Sequence, residues 1–230
     1  MSTGNGDDLV GESVTRSLWA FPGVDLGVRP TVAQRAVAER ILLGWAAPSD
    51  ALAREVNPGT VDAQLIVGLA VERRREFLTG RAILGRLLES LFPGSVAWAV
   101  DAASEDGTVV VRGVPALASV AYADGMVVAM AAATSQASRI GVELERNDPV
   151  RAASVAKELG VPVDGALRRW VHVQAVLRAG RHGRRADPGL VRIGAGTGRV
   201  EGSSTDYRIA EVEGPSGYAA GVAWRPAGRA

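Results

Sequence analysis

Glu143 and Glu145 stand two residues apart in the stretch Ile140–Arg146, IGVELER. Apolar residues alternate with them, which predicts a β-strand. On a strand, residues i and i+2 leave by the same face, so both carboxylates would leave the sheet together. Two converging carboxylates repel unless a cation stands between them. Mg2+ suits that place, because it binds through one or two carboxylates together with substrate phosphates. The same spacing also fits an edge strand with two solvated glutamates, the usual state of Glu.

A second set of charges suggests a partner for such a cation. Thr60–Leu91 holds the strongest helical pattern, with Asp62 as a candidate cap and an apolar face of Leu65, Leu69, Phe77, Leu78, Ile83, Leu84, Leu87, Leu88 and Leu91. Its other side carries Arg73, Arg74, Arg75, Arg81 and Arg86. This is either a solvated face, with Arg75 paired to Glu72 or Glu76, or an anion site for phosphates, to which Arg is well suited.

The rest of the chain must position these groups. It has 230 residues, of which 47% are hydrophobic, enough for one large domain or two small halves around a core. A net charge of +1 lacks the basic excess of a general nucleic-acid binder. Absence of cysteine excludes disulfides and thiolate metal sites and is compatible with a reducing, cytoplasmic setting. The N-terminus does not read as a signal peptide. The apolar run Val114–Ala133 is interrupted by Pro115 and by Ala123-Asp124-Gly125, so its pieces are too short to span a membrane.

In chain order, residues 1–30 read as a tail with a strand near Thr15–Ala20, and Thr31–Trp45 as a helix. A turn at Asn57-Pro58-Gly59 precedes the long helix. Strands follow at Ser95–Val100 and Thr108–Arg112 around Glu105-Asp106-Gly107, then a hairpin of Leu117–Tyr122 and Met126–Ala132 over Asp124-Gly125. The carboxylate strand, Arg139–Arg146, leads through Asn147-Asp148-Pro149 to a helix over residues 150–159. Asp164 is a candidate cap for a further helix, Gly165–Ala179, ended by Gly180. The basic loop 180–192, with Arg181, His182, Arg184, Arg185 and Arg192, is a surface loop or a docking patch for an acidic partner or a phosphate. Gly194–Gly198 does not sit between a strand and a helix, so it is no nucleotide loop. Strands at Tyr207–Val212 and Tyr218–Trp224 close the chain. The expectation is an α+β fold of two similar halves, 31–133 and 134–230, each with helices on a small antiparallel sheet.

Five landmarks in order, RRREFLTGR, PALASVAY, IGVELER, WVHVQAVLRAG and GYAAGVAW, resemble the 4′-phosphopantetheinyl transferases of the surfactin-synthetase type over about residues 60–225. The resemblance implies two pseudo-symmetric halves with coenzyme A and Mg2+ in the cleft between them. It implies transfer of the phosphopantetheine arm to a serine of an acyl or peptidyl carrier protein. It places Glu143, Glu145 and Gln174 at the metal, with Tyr122 beside them at the catalytic centre. It places Arg73, Arg74, Arg75, Arg81, Ser119 and Arg178 at coenzyme A. A monomer, and a bacterial biosynthetic setting, would fit.

The motifs depart from the family at the site. Where the family strand has Asp first, Glu143 adds one methylene. Where the family helix reads Trp-x-x-Lys-Glu-Ala, Trp170 is followed by Val173 and Gln174. Gln174 can offer a carbonyl oxygen, but it cannot take a serine proton at neutral pH. Tyr122 stands where the family has His. His172, two residues before Gln174, would point about 200° away on a helix and is a poor replacement base; nothing in the sequence places His182 there. Three functions follow: a divergent transferase; an enzyme on the same fold that acts on a biosynthetic intermediate, carrier-bound or free, without Mg2+ or coenzyme A; or a non-catalytic module that docks a carrier through Arg181, Arg184 and Arg185.

Overall fold

A computed structural model describes residues 31–56, 66–95, 98–103, 108–182 and 186–228. The strand expected near Thr15–Ala20, the Asn57-Pro58-Gly59 turn, the Asp62 cap, the Glu105-Asp106-Gly107 turn, and Arg184 and Arg185 lie outside them. The fold is α+β. Strands β1 (Ala33–Ala38), β2 (Ile41–Ala46), β3 (Ala99–Ala103), β4 (Thr108–Arg112), β5 (Ala116–Ala123) and β6 (Met126–Ala133) form one antiparallel sheet, in the order β1-β2-β6-β5-β4-β3. Strands β7 (Ala137–Arg146), β8 (Val191–Ile193), β9 (Thr197–Val200), β10 (Asp206–Glu211) and β11 (Tyr218–Pro226) form a second, in the order β7-β11-β10-β9-β8. Helices α1 (Asp50–Glu55) and α2 (Val71–Leu91) accompany the first sheet, and α3 (Pro149–Leu159) and α4 (Ala166–Gly180) the second.

The β6 sequence explains the layering. Val127, Ala129 and Ala131 face the core shared with α2. Val128, Met130 and Ala132 alternate with them and face a core shared with Ile140, Val142 and Leu144 of β7 and Val222 of β11. A strand buried on both faces reads as a continuous apolar run. The stretch 114–133 is therefore apolar because it is interior strand. No helix among the described residues is long and apolar enough to cross a membrane.

The helix expected over 31–45 is a hairpin instead. Ile41 and Leu43 face the inter-sheet core, while Gly44 faces α2, with Ile83 Cγ2 3.0 Å from where a Cβ would stand. The apolar residues obey a period of two there, and the Glu39-Arg40 turn puts Arg40 at φ 51°. Arg40 is held by the Leu91 carbonyl at 3.1 Å and lies over the Phe92 ring. The half 31–133 thus begins with strands, not a helix. Two helix ends also differ. Gly165, at φ 78°, precedes α4 without a side-chain cap, so Asp164 does not cap it. The left-handed residue after α4 is Arg181, not Gly180.

Candidate functional site

The carboxylate strand is β7. Ile140, Val142 and Leu144 point to the inter-sheet core, which turns Gly141, Glu143 and Glu145 toward α4. Gly141 is required there: a Cβ would stand 2.2 Å from the Ala175 carbonyl oxygen and 2.6 Å from the Ala179 nitrogen. Gly221 on β11, paired with Glu143, has the same role, its Cβ position lying 2.7 Å from the Val171 oxygen. With two glycines beneath it, α4 lies close on the sheet. Its Gln174 and Arg178 then line a common cleft with the β7 carboxylates.

That cleft has a volume of about 440 Å3, and Tyr122, Glu143, Glu145, Arg151, Trp170, Gln174 and Arg178 are among its walls. This size is typical of small-molecule sites. The structure therefore brings together five residues singled out from sequence: Tyr122, Glu143, Glu145, Gln174 and Arg178. Asp124 and Glu158 stand at its exposed margin.

Each carboxylate has its own arginine. Arg178 donates to Glu143 Oε2 from Nε at 2.9 Å, with Nη2 at 2.8 Å, and to the Val120 carbonyl from Nη1 at 3.3 Å. Glu143 Oε1 accepts from the Leu144 N–H at 3.1 Å. The two side chains are only 12% and 11% exposed. Glu145 is more open. Arg151 Nη2 reaches its Oε2 at 3.3 Å, and the Arg151 guanidinium lies 4.9 Å from the centre of the Trp170 ring. Sequence reasoning missed Arg151. Its signal was position: Asp148 caps α3 by accepting from the Arg151 N–H, which places a cation in the first turn, six residues after Glu145.

The arginines of α2 do not join this site. Arg73 pairs with Glu76, and Arg75 pairs with Asp50 instead of the expected Glu72 or Glu76. Arg74 is half-buried. Arg81 is buried rather than on a polar face: α2 is enclosed almost all round from Leu78 to Leu88, and the Arg81 guanidinium stacks 4.4 Å from the Phe77 ring. Arg86 pairs with Glu55. None of these lines the cleft. The Arg73 guanidinium lies 5.9 Å from the centre of the ring of the cleft residue Tyr122. Ser119 is a seam residue: its Oγ accepts from the Val142 N–H at 3.4 Å, where β5 and β7 meet.

Burial raises the Tyr122 phenol above its ordinary value, although Arg81 and Arg73 pull the other way, so it is a neutral donor at neutral pH. His172 lies away from the cleft, its Nε2 3.3 Å from the Ala210 carbonyl oxygen, and burial lowers its pKa.

The Mg2+ implied by the resemblance can be tested against these donors. Glu143 is engaged by Arg178, Glu145 faces Arg151, and the third donor, Gln174, is a neutral amide. Two guanidinium cations already supply the positive charge that a metal would bring. The donor set does not fit Mg2+.

No protein-family model matches the chain, and no curated protein matches it.

Proposed function

We propose that this chain is a divergent phosphopantetheinyl-transferase-like protein whose cleft binds a phosphopantetheine-type arm, and that Mg2+-dependent transfer from coenzyme A to a carrier serine has been lost. The two-half reading belongs to the same proposal: α2 serves the sheet of 31–133 and α4 the sheet of 134–230, with the ligand cleft where β5, β7 and α4 meet. The Arg178–Glu143 pair is the observation that carries it. It joins the strand and the helix on which the resemblance sets the metal, and it neutralises the first carboxylate from within the protein. Gln174 supports the same reading, because an amide cannot take the serine proton.

A metal-free enzyme on a biosynthetic intermediate is the second reading. Tyr122 and Glu145 favour it, a neutral phenol and a carboxylate 22% exposed among the residues that line one cleft.

The test is the intact mass of apo carrier proteins of several types, incubated with this protein, coenzyme A and Mg2+ beside an active transferase. The expected result is no added phosphopantetheine. A mass shift that Glu143→Gln abolishes would refute the loss of transfer.

A further inference from the structure

The two cleft arginines are not equivalent. Arg178 is 12% exposed and tied to Glu143 by two donor nitrogens and to the Val120 carbonyl by a third. Arg151 is 35% exposed and makes a single 3.3 Å contact with Glu145. A guanidinium has five N–H donors, and Arg151 finds no second side-chain or carbonyl acceptor among the described residues. Its position is nevertheless fixed. Asp148 caps α3 through the Arg151 N–H at 2.7 Å, and the Trp170 ring supports the guanidinium at 4.9 Å. Trp170 is itself packed against the small core of Val155, Ala156, Ala166 and Leu167 between α3 and α4. A cation in the first turn of a helix also opposes the helix dipole. It is thus held, oriented and incompletely used, on the wall of the cleft.

The geometry points to Arg151, seated on Trp170, as the anion-gripping residue of the cleft. It takes a single phosphate by re-pairing from Glu145, and leaves Glu145 to accept a hydrogen bond from the same ligand. This rests on the reading of the cleft as a site for a phosphopantetheine-type arm. One loosely tied cation, with Asp124 and Glu158 at the margin, matches a ligand with one phosphate better than the polyphosphate end of coenzyme A. That phosphate can belong to the free arm or to the arm already carried on a protein serine.

Calorimetric titration in EDTA with 4′-phosphopantetheine and with pantetheine, which lacks the phosphate, tests this. Wild type is expected to bind phosphopantetheine at least about 10-fold more tightly, the range of a charge-assisted hydrogen bond. Arg151→Gln is expected to remove that preference, so that phosphopantetheine binds no more tightly than pantetheine. Arg151→Lys, which keeps the charge but loses the planar fork, is expected to restore part of it. Titration with holo- and apo-carrier separates the sources: tighter binding of holo-carrier, lost in Arg151→Gln, assigns the arm on a protein. Pantetheine and phosphopantetheine bound equally by wild type, or a preference kept in Arg151→Gln, overturns the role of Arg151 while the cleft reading stands. Binding of none of the probes by wild type overturns both.

Discussion

Arg178→Met should be the most damaging single change at the cleft. It removes two donor contacts to Glu143 and a third to the Val120 carbonyl of β5, and leaves a carboxylate that is 11% exposed with the Leu144 N–H as its remaining donor among the described residues. Breaking a buried pair from one side costs about 3–5 kcal/mol. The remaining exposure sets the expectation at the lower end, about 3 kcal/mol. Glu143→Gln should cost less, about 2 kcal/mol, because its amide oxygen can still accept from Arg178 and hydrogen bonds to charged groups contribute about 1.5–3 kcal/mol. The double variant Glu143→Leu with Arg178→Met removes both charges together. Its cost should fall well below the sum of the Arg178→Met and Glu143→Leu costs, with a coupling of about 2 kcal/mol. Urea unfolding followed by circular dichroism reads this as a midpoint shift at constant slope. Single variants that each cost under about 0.5 kcal/mol and simply add would be the behaviour of an exposed pair. That result would refute the view that the first carboxylate is neutralised from within.

Gly141→Ala should cost about 3 kcal/mol or prevent folding, since its Cβ would meet helix backbone at 2.2 Å; thermal melting checks this. Ser119→Ala should lose about 1–3 kcal/mol in urea, because the buried Val142 N–H loses its acceptor. Burial lowers the His172 pKa, so the unfolded chain takes up the proton first as pH falls. The His172 contribution is therefore present above its ordinary pKa near 6.5 and lost as pH falls through the lower folded value; His172→Gln should flatten that acid slope in a pH series of unfolding curves. Tyr122 has the opposite sign. Its raised folded value makes stability fall as pH rises past 10, and Tyr122→Phe should reduce, though not abolish, that alkaline slope, because Tyr207 is raised by burial as well.

The hairpin β5–β6, the carboxylate strand, helices α3 and α4 and the closing strands were legible because their residues repeat with one period and end at Asp-Gly, Asn-Asp-Pro or Gly-Pro signals. The first hairpin was not. Val32, Ala36, Ile41 and Leu42 satisfy a helical spacing, and only the tertiary setting of Gly44 against Ile83 reveals a strand. Arg81 was misplaced for a related reason: a helix enclosed almost all round has no reliable polar face in its sequence. At the site, the shared face of Glu143 and Glu145 followed from strand geometry, and Gln174 and Arg178 joined it through the family motif. Their charge partners did not follow. Arg178 and Glu143 are 35 residues apart and meet only because Gly141 and Gly221 let α4 settle on the sheet. Two residues of one sign on a strand pose the question of a counter-ion, but only the fold decides between a metal and two arginines.

The most direct measurement is the affinity of 4′-phosphopantetheine for the wild-type protein, by calorimetry, in EDTA and again with excess Mg2+. A cleft whose carboxylates are neutralised by Arg178 and Arg151 predicts binding of equal strength in both. Binding that appears only with Mg2+, or tightens ten-fold with it, would contradict the account and return Glu143 and Glu145 to a metal.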